Sequence, residues 1–172
     1  MHDGEPRKAA DERQETEPAT ADPGSRADNL ALAALLLGAA ATLVDGIHAA
    51  VAAAGFDDLR PSHGFAFARI AAGETTVGDV AEHLGVTKQA ASQLVEELAR
   101  KGYLTRRPHP GDARARLLEL TARGWACTRA ADLAMAALME DWAAVLGRKR
   151  VAALRADLAR VVPSGPLRPA AW

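Results

Sequence analysis

The stretch that decides the fold is Thr76–Thr121, TVGDVAEHLGVTKQAASQLVEELARKGYLTRRPHPGDARARLLELT. Val77, Val80, Ala81 and Leu84 recur at helical spacing and form one apolar stripe. Thr76 precedes them as an N-cap, with Asp79 three residues on as a near-match to a capping box. Gly85 then ends the helix, because a residue without Cβ reverses the chain there at little cost. Thr87 caps a second helix that is expected to run to about Lys101. At 100° per residue, Ala90, Ala91, Leu94, Val95 and Leu98 of this helix fall on one side. Lys88, Gln89, Ser92 and Gln93 fall on the other, so the outer face of its first two turns holds hydrogen-bonding groups and no acid. Such side chains read base edges, Gln being suited to adenine and Lys to guanine. On an isolated helix the same face would read as plain solvated surface. Here it follows a tight turn and precedes a basic hairpin, which favours nucleic-acid reading.

The hairpin is expected from Tyr103–Arg107 as one strand, Pro108–Gly111 as the loop and Arg116–Leu120 as the return strand. Between Arg100 and Arg116 stand six Lys or Arg (Arg100, Lys101, Arg106, Arg107, Arg114, Arg116) against one acid, Asp112. That excess suits a phosphate backbone. Asp112 can orient the Arg114 guanidinium for a narrow minor groove, although an acid and an arginine at a turn also form ordinary surface pairs of little worth.

The run from Val80 to Gly124 resembles the MarR family (multiple antibiotic resistance regulators). The residues that carry the resemblance are Ala81-x-x-x-Gly85-Val86-Thr87-Lys88-Gln89, then Leu98-x-x-x-Gly102-Tyr103-Leu104-x-Arg106-Arg107, then Asp112-x-Arg114, and finally Leu120-Thr121-x-x-Gly124. The close likeness covers about a third of the chain, and the rest shares only helical layout. It implies a winged helix-turn-helix in an obligate homodimer, mainly α with a small β-hairpin wing and dimerisation helices at both ends. It also implies recognition helices in the major groove of a pseudo-palindromic operator, wing arginines in the minor groove, and a role in sensing a ligand or an oxidant. The expected DNA-binding residues are therefore Thr87, Lys88, Gln89, Ser92, Gln93, Arg106, Arg107, Asp112, Arg114 and Arg116.

The remainder of the chain fits this frame. With 172 residues there is room for one domain or one subunit of an intertwined dimer. Aromatics are 4 % and apolar residues 49 %, so the core must be mostly Ala, Leu and Val. One cysteine excludes an internal disulfide framework and suits a reducing cytoplasm. The net charge of −1 hides a division: residues 1–28 hold four basic and eight acidic residues, leaving the rest net positive.

Residues 1–27 contain no Leu, Ile, Val or aromatic residue and read as a disordered acidic tail without a signal-peptide core. A role as an acidic mimic of DNA is the sharper and less favoured reading. Leu30 to about Ala54 reads as a long Ala/Leu helix. Its nearly all-apolar run, Leu30–Val44, is about fifteen residues, below the roughly twenty of a membrane span, with Asp45 and His48 following. A dimer interface is expected instead, and no membrane partner.

A second helix is expected from Pro61 and Ser62 to about Ala71. Residues 28–60 form the expected N-terminal dimerisation segment, 61–124 the DNA-binding domain, and 125–172 the C-terminal dimerisation helices and tail. His48 and His63 are candidate lining for an effector pocket, where the resemblance implies small aromatic or phenolic ligands; structural histidines are the plainer reading. No cluster with metal-ligand spacing is visible, so neither metal nor cofactor is expected. Cys127, with Arg123 and Arg129 nearby, is a candidate redox thiol only if exposed with a depressed pKa, and otherwise a buried packing residue. No Ser/His/Asp ordering, phosphate loop or glycine fingerprint suggests an enzyme. The reading that follows is a homodimeric cytoplasmic transcription regulator, a repressor relieved by a small effector. The alternative is a winged-helix adaptor that binds protein.

Overall fold

The computed structural model describes residues 24–162; within them, the side chains of residues 112–114 lie outside what is described. Six helices and one hairpin follow in the order α1 (Arg26–Ala53), α2 (Pro61–Ala71), α3 (Val77–Leu84), α4 (Lys88–Arg100), β1 (Leu104–His109), β2 (Asp112–Leu120), α5 (Ala122–Leu146) and α6 (Arg148–Val161). The fold is mainly helical with a winged hairpin, as expected. The chain divides at Gly38 into two units. The acidic stretch expected as a tail lies outside the described residues up to residue 23, as does the C-terminal segment from residue 163.

In the first unit, the Ser25 hydroxyl accepts from the Asp28 backbone N–H at 3.2 Å and donates to its carboxylate at 2.7 Å, which starts α1. Leu30, Leu32, Leu35, Leu36 and Leu37 are all exposed on the chain by itself. The apolar character of α1 continues beyond the fifteen-residue run Leu30–Val44. The helix has 28 residues and an 18-residue window of mean hydropathy 2.1, so by length and composition it is able to cross a membrane. Alanines between the leucines keep the stretch helical and apolar beyond the run of leucines.

In the second unit the helix-turn-helix follows from local chemistry. The Thr76 hydroxyl accepts from the Asp79 N–H at 3.3 Å, and the Asp79 carboxylate accepts from the Thr76 N–H at 2.7 Å, closing the capping box. That backbone donor holds the Asp79 carboxyl below its ordinary range. Gly85 takes the left-handed conformation (φ 65°) that turns the chain into Thr87, whose hydroxyl accepts from the Ala90 N–H at 3.2 Å.

The core gathers Ala66, Phe67 and Ile70 of α2, Val80 and Leu84 of α3, and Ala91, Val95 and Leu98 of α4 over Leu104, Leu118 and Leu120 of the hairpin. β1 and β2 pair antiparallel from Leu104↔Leu120 to Pro108↔Arg116, with an irregularity between Pro108 and His109. Both strands run further toward the tip than expected. Pro108 and His109 continue the first strand and Asp112 begins the second, because a proline at an edge removes one donor without ending the extended backbone. Tyr103, expected as the first strand residue, instead stands before the strand and is wholly buried. A further link ties the hairpin to the helices: the Leu118 N–H donates to the carbonyl of buried Thr75 at 2.8 Å.

Candidate nucleic-acid interface

On α4, burial of Ala91, Val95 and Leu98 defines the inward direction. Opposite to it, at 100° per residue, fall Gln89, Gln93, Glu96 and Arg100, all exposed. Ser92 is half-buried at the edge of this stripe, and Lys88, in the first turn, is exposed although it lies on the flank nearer the buried side. Ala90, expected among the apolar residues, is exposed too, so the buried side is narrower than a wheel of residue types suggests. Thr87 is exposed, with its hydroxyl oxygen engaged in the cap.

The hairpin presents Arg106 and Arg116 exposed. Arg107 is differently placed. Its guanidinium donates to Glu119 across the hairpin and lies 3.5 Å from Glu74. Neither acid falls inside the Arg100–Arg116 window in which charges were counted, so part of the expected excess is already neutralised. Lys101 is likewise occupied, donating to Glu97 at 2.7 Å and to the backbone carbonyl of Asp58. The proposed Asp112–Arg114 pairing falls on side chains outside those described.

A polar chain that sequence reasoning missed holds α4 from behind. Arg60 donates to Glu97 of α4 and lies against His63. The Lys101 ammonium, and after it His63 and Arg60, keep the Glu97 carboxyl below its ordinary range. His63 is wholly buried at the start of α2, where its Nδ1 accepts from the Arg60 N–H at 3.0 Å. With Nδ1 an acceptor, the neutral ring carries its proton on Nε2, facing Glu97 at 3.6 Å. Burial pushes the His63 pKa down to about 4 despite the raising effect of Glu97, so the two do not form an ion pair at neutral pH.

Tyr103 makes the second buried junction. Its ring packs on Phe67 and Phe56, with centroids 5.6 and 6.2 Å away, and the Arg123 guanidinium lies 4.3 Å above it. The hydroxyl donates to Asp58 at 2.5 Å and accepts from Arg123 at 3.0 Å. Burial, with the bond to Asp58, pushes the Tyr103 pKa up to about 12. Arg123 thus serves Tyr103 and Asp58, and does not activate Cys127. That thiol is buried, and burial pushes its pKa up to about 11, the opposite of a reactive thiolate.

His48 does line a cavity. It has a volume of about 580 Å³ between α1, α2 and α5, with Val51, Phe65, Phe67 and Trp125 among its walls. That is within the size range of small-molecule sites. Among the described residues, no group of three His, Cys, Asp or Glu is placed to hold a metal ion.

Residues 58–115 match the model of the MarR family. Solved structures share the fold. RV1404 from Mycobacterium tuberculosis superposes with a TM-score of 0.65 at 24% identity, over 79% of this chain and 96% of that one. MarR from E. coli in its apo form gives 0.62 at 22% identity, over 78% and 97%. A Cys-to-Ser mutant of E. coli MarR complexed with operator DNA gives 0.62 at 21%, over 78% and 94%. No curated protein sequence matches the chain. The resemblance read from Val80–Gly124 and the winged-helix fold are thereby borne out.

Proposed function

We propose that the chain is a sequence-specific DNA-binding transcription regulator that acts as a homodimer in the cytoplasm, a repressor relieved by a small molecule. One observation carries the reading: α4 turns Gln89 and Gln93 outward, away from its core-packed side, next to a hairpin with exposed Arg106 and Arg116. Amide side chains suit base edges and free guanidinium groups suit phosphates. In this reading Thr87, Lys88, Gln89, Ser92 and Gln93 enter the major groove, while Arg106, Arg116 and Arg114 grip the backbone and the flanking minor groove. Operator DNA bound to the E. coli MarR mutant supports the same use of this fold.

The dimer is supported by apolar surface that one chain leaves uncovered. In the second unit, Leu133 and Val145 of α5 are 73% and 83% exposed, and α6 buries no residue. The leucines of the first unit are similarly open. A second copy covering such surfaces accounts for them without a membrane, and places two α4 helices to read half-sites about one helical turn apart.

Footprinting on the DNA flanking the chain's own gene tests the proposal. Paired protected half-sites, with sedimentation at twice the chain mass, are expected. A folded protein that protects no DNA at low salt would instead favour a protein-binding winged module.

A further inference from the structure

The cavity walled by α1, α2 and α5 has a composition that selects among ligands. The chain holds only three Phe, three Trp and one Tyr, yet Phe65, Phe67 and Trp125 all line this cavity. Two charged side chains also reach its lining, Arg60 and Asp132. They differ in what already engages them. The Arg60 guanidinium is already ion-paired to Glu97 of α4, a carboxylate it shares with Lys101. The Asp132 side chain is exposed and has no ion-pair or hydrogen-bond partner among the described residues. The Thr128 hydroxyl donates to the Gly124 carbonyl at 3.1 Å, and the buried Cys127 thiol is uncharged at neutral pH. Of the two charges on the lining, the one without a partner among the described residues is therefore the negative one. Aromatic rings add to the same preference, since their faces attract cations.

We infer that this cavity binds a monovalent organic cation with a bulky apolar or aromatic body, its charge held at Asp132. The inference rests on the effector-site reading above and narrows it. A neutral phenol would leave the carboxylate unpaired, and an aromatic acid would be repelled by it or would have to displace Glu97 from Arg60.

Tetraphenylphosphonium and tetraphenylborate test this, because they share shape and apolar surface and differ in the sign of charge. Titration of the full chain, read by calorimetry and by quenching of tryptophan fluorescence, should show the cation binding at least about tenfold more tightly, equal to about 1.4 kcal/mol. Asp132→Asn should bring the ratio of the two affinities toward one, and Trp125→Ala should weaken the cation. Circular dichroism melting confirms that each variant is folded. Equal or tighter binding of the borate overturns the inference and makes Arg60 the selecting charge. A cation preference unmoved by Asp132→Asn also overturns it, as does the absence of binding by either ion. Footprinting run in parallel separates the two readings: intact operator protection with no ion binding removes only the ligand, whereas lost protection by the wild-type chain removes the regulator.

Discussion

Gly124 and Tyr103 meet so closely that no other residue fits. A Cβ built on Gly124 would stand 2.2 Å from the Tyr103 backbone carbonyl oxygen and 3.2 Å from the Leu120 side chain. The approach is set by α5's own cap: the Thr121 hydroxyl accepts from the Gly124 N–H at 3.2 Å, while the Thr121 N–H donates to that same Tyr103 carbonyl at 3.0 Å. The same hydroxyl donates to the Gly102 carbonyl at 2.7 Å, so one threonine joins helix start and hairpin base. The Leu-Thr-x-x-Gly signature is therefore a packing requirement.

Gly124→Ala is expected to destabilise the protein by roughly 1–3 kcal/mol, since the obstacle is backbone and cannot rotate aside. For a chain of this size the Tm should fall by roughly 3–10 °C. Calorimetry at fixed pH measures it, and a Tm within a degree of wild type would mean that α5 slides away without cost.

What the sequence made legible was what lies close along the chain. Thr76 and Asp79, Thr87 and Ala90, Thr121 and Gly124 each interact over three residues, and residue type alone points to them. The links from Arg60 to Glu97 and from Tyr103 to Asp58 span 37 and 45 residues, and nothing local marks them. Distance along the chain also explains the charge error at Arg107, whose partners Glu74 and Glu119 lie outside the stretch that supplied its neighbours. Ala90 was misplaced for another reason: alanine is apolar enough to count toward a stripe and small enough to stay outside.

His63 should give the protein a pH dependence above the carboxylate range. Its folded pKa, about 4, lies below the value near 6.5 of an unfolded histidine. The unfolded chain thus takes up the proton first as pH falls. Stability from the neutral ring is fully present above about 6.5 and is lost progressively toward 4, on the order of 3 kcal/mol in all. His83, also lowered by burial, acts in the same direction as pH falls below the ordinary histidine range. Asp58, Asp79 and Glu97, held low by their partners, lose stability only as pH falls below the ordinary carboxylate values. His63→Asn should lower Tm at pH 7 yet flatten the decline between pH 6.5 and 5. A decline as steep as in wild type would assign the effect to His83.

Base reading by α4 is testable apart from phosphate contact. Gln89→Ala removes an exposed amide from the outward stripe without touching the core or the cap. It should cost on the order of 1–3 kcal/mol on the operator and little on random DNA. The corresponding loss at Ser92→Ala should be smaller, because Ser92 is half-buried at the edge of that stripe. Equal losses on both DNAs for Gln89→Ala would reduce this residue to a backbone contact.

The two neighbouring arginines of β1 should differ in how they answer to salt. Counterion release counts the net positive charge brought to phosphates, and affinity of a basic reader falls steeply as salt rises. Arg106 is exposed, and Arg106→Ala should lower the slope of log affinity against log salt by about one per protomer. Arg107 is held by Glu119 and faces Glu74, so it brings little net charge and Arg107→Ala should lower the slope by clearly less. Exposed pairs of this kind are weak, about 0–1 kcal/mol, and so the acids compete with phosphate and do not lock the side chain. Glu119→Gln should therefore tighten DNA binding several-fold at low salt, and on that background Arg107→Ala should cost as much as Arg106→Ala. Filter binding from 50 to 200 mM salt on one operator gives the slopes of wild type and all four variants. If Arg106→Ala and Arg107→Ala lower the slope equally in the presence of Glu119, the cross-strand pair opens on binding and both arginines reach the backbone.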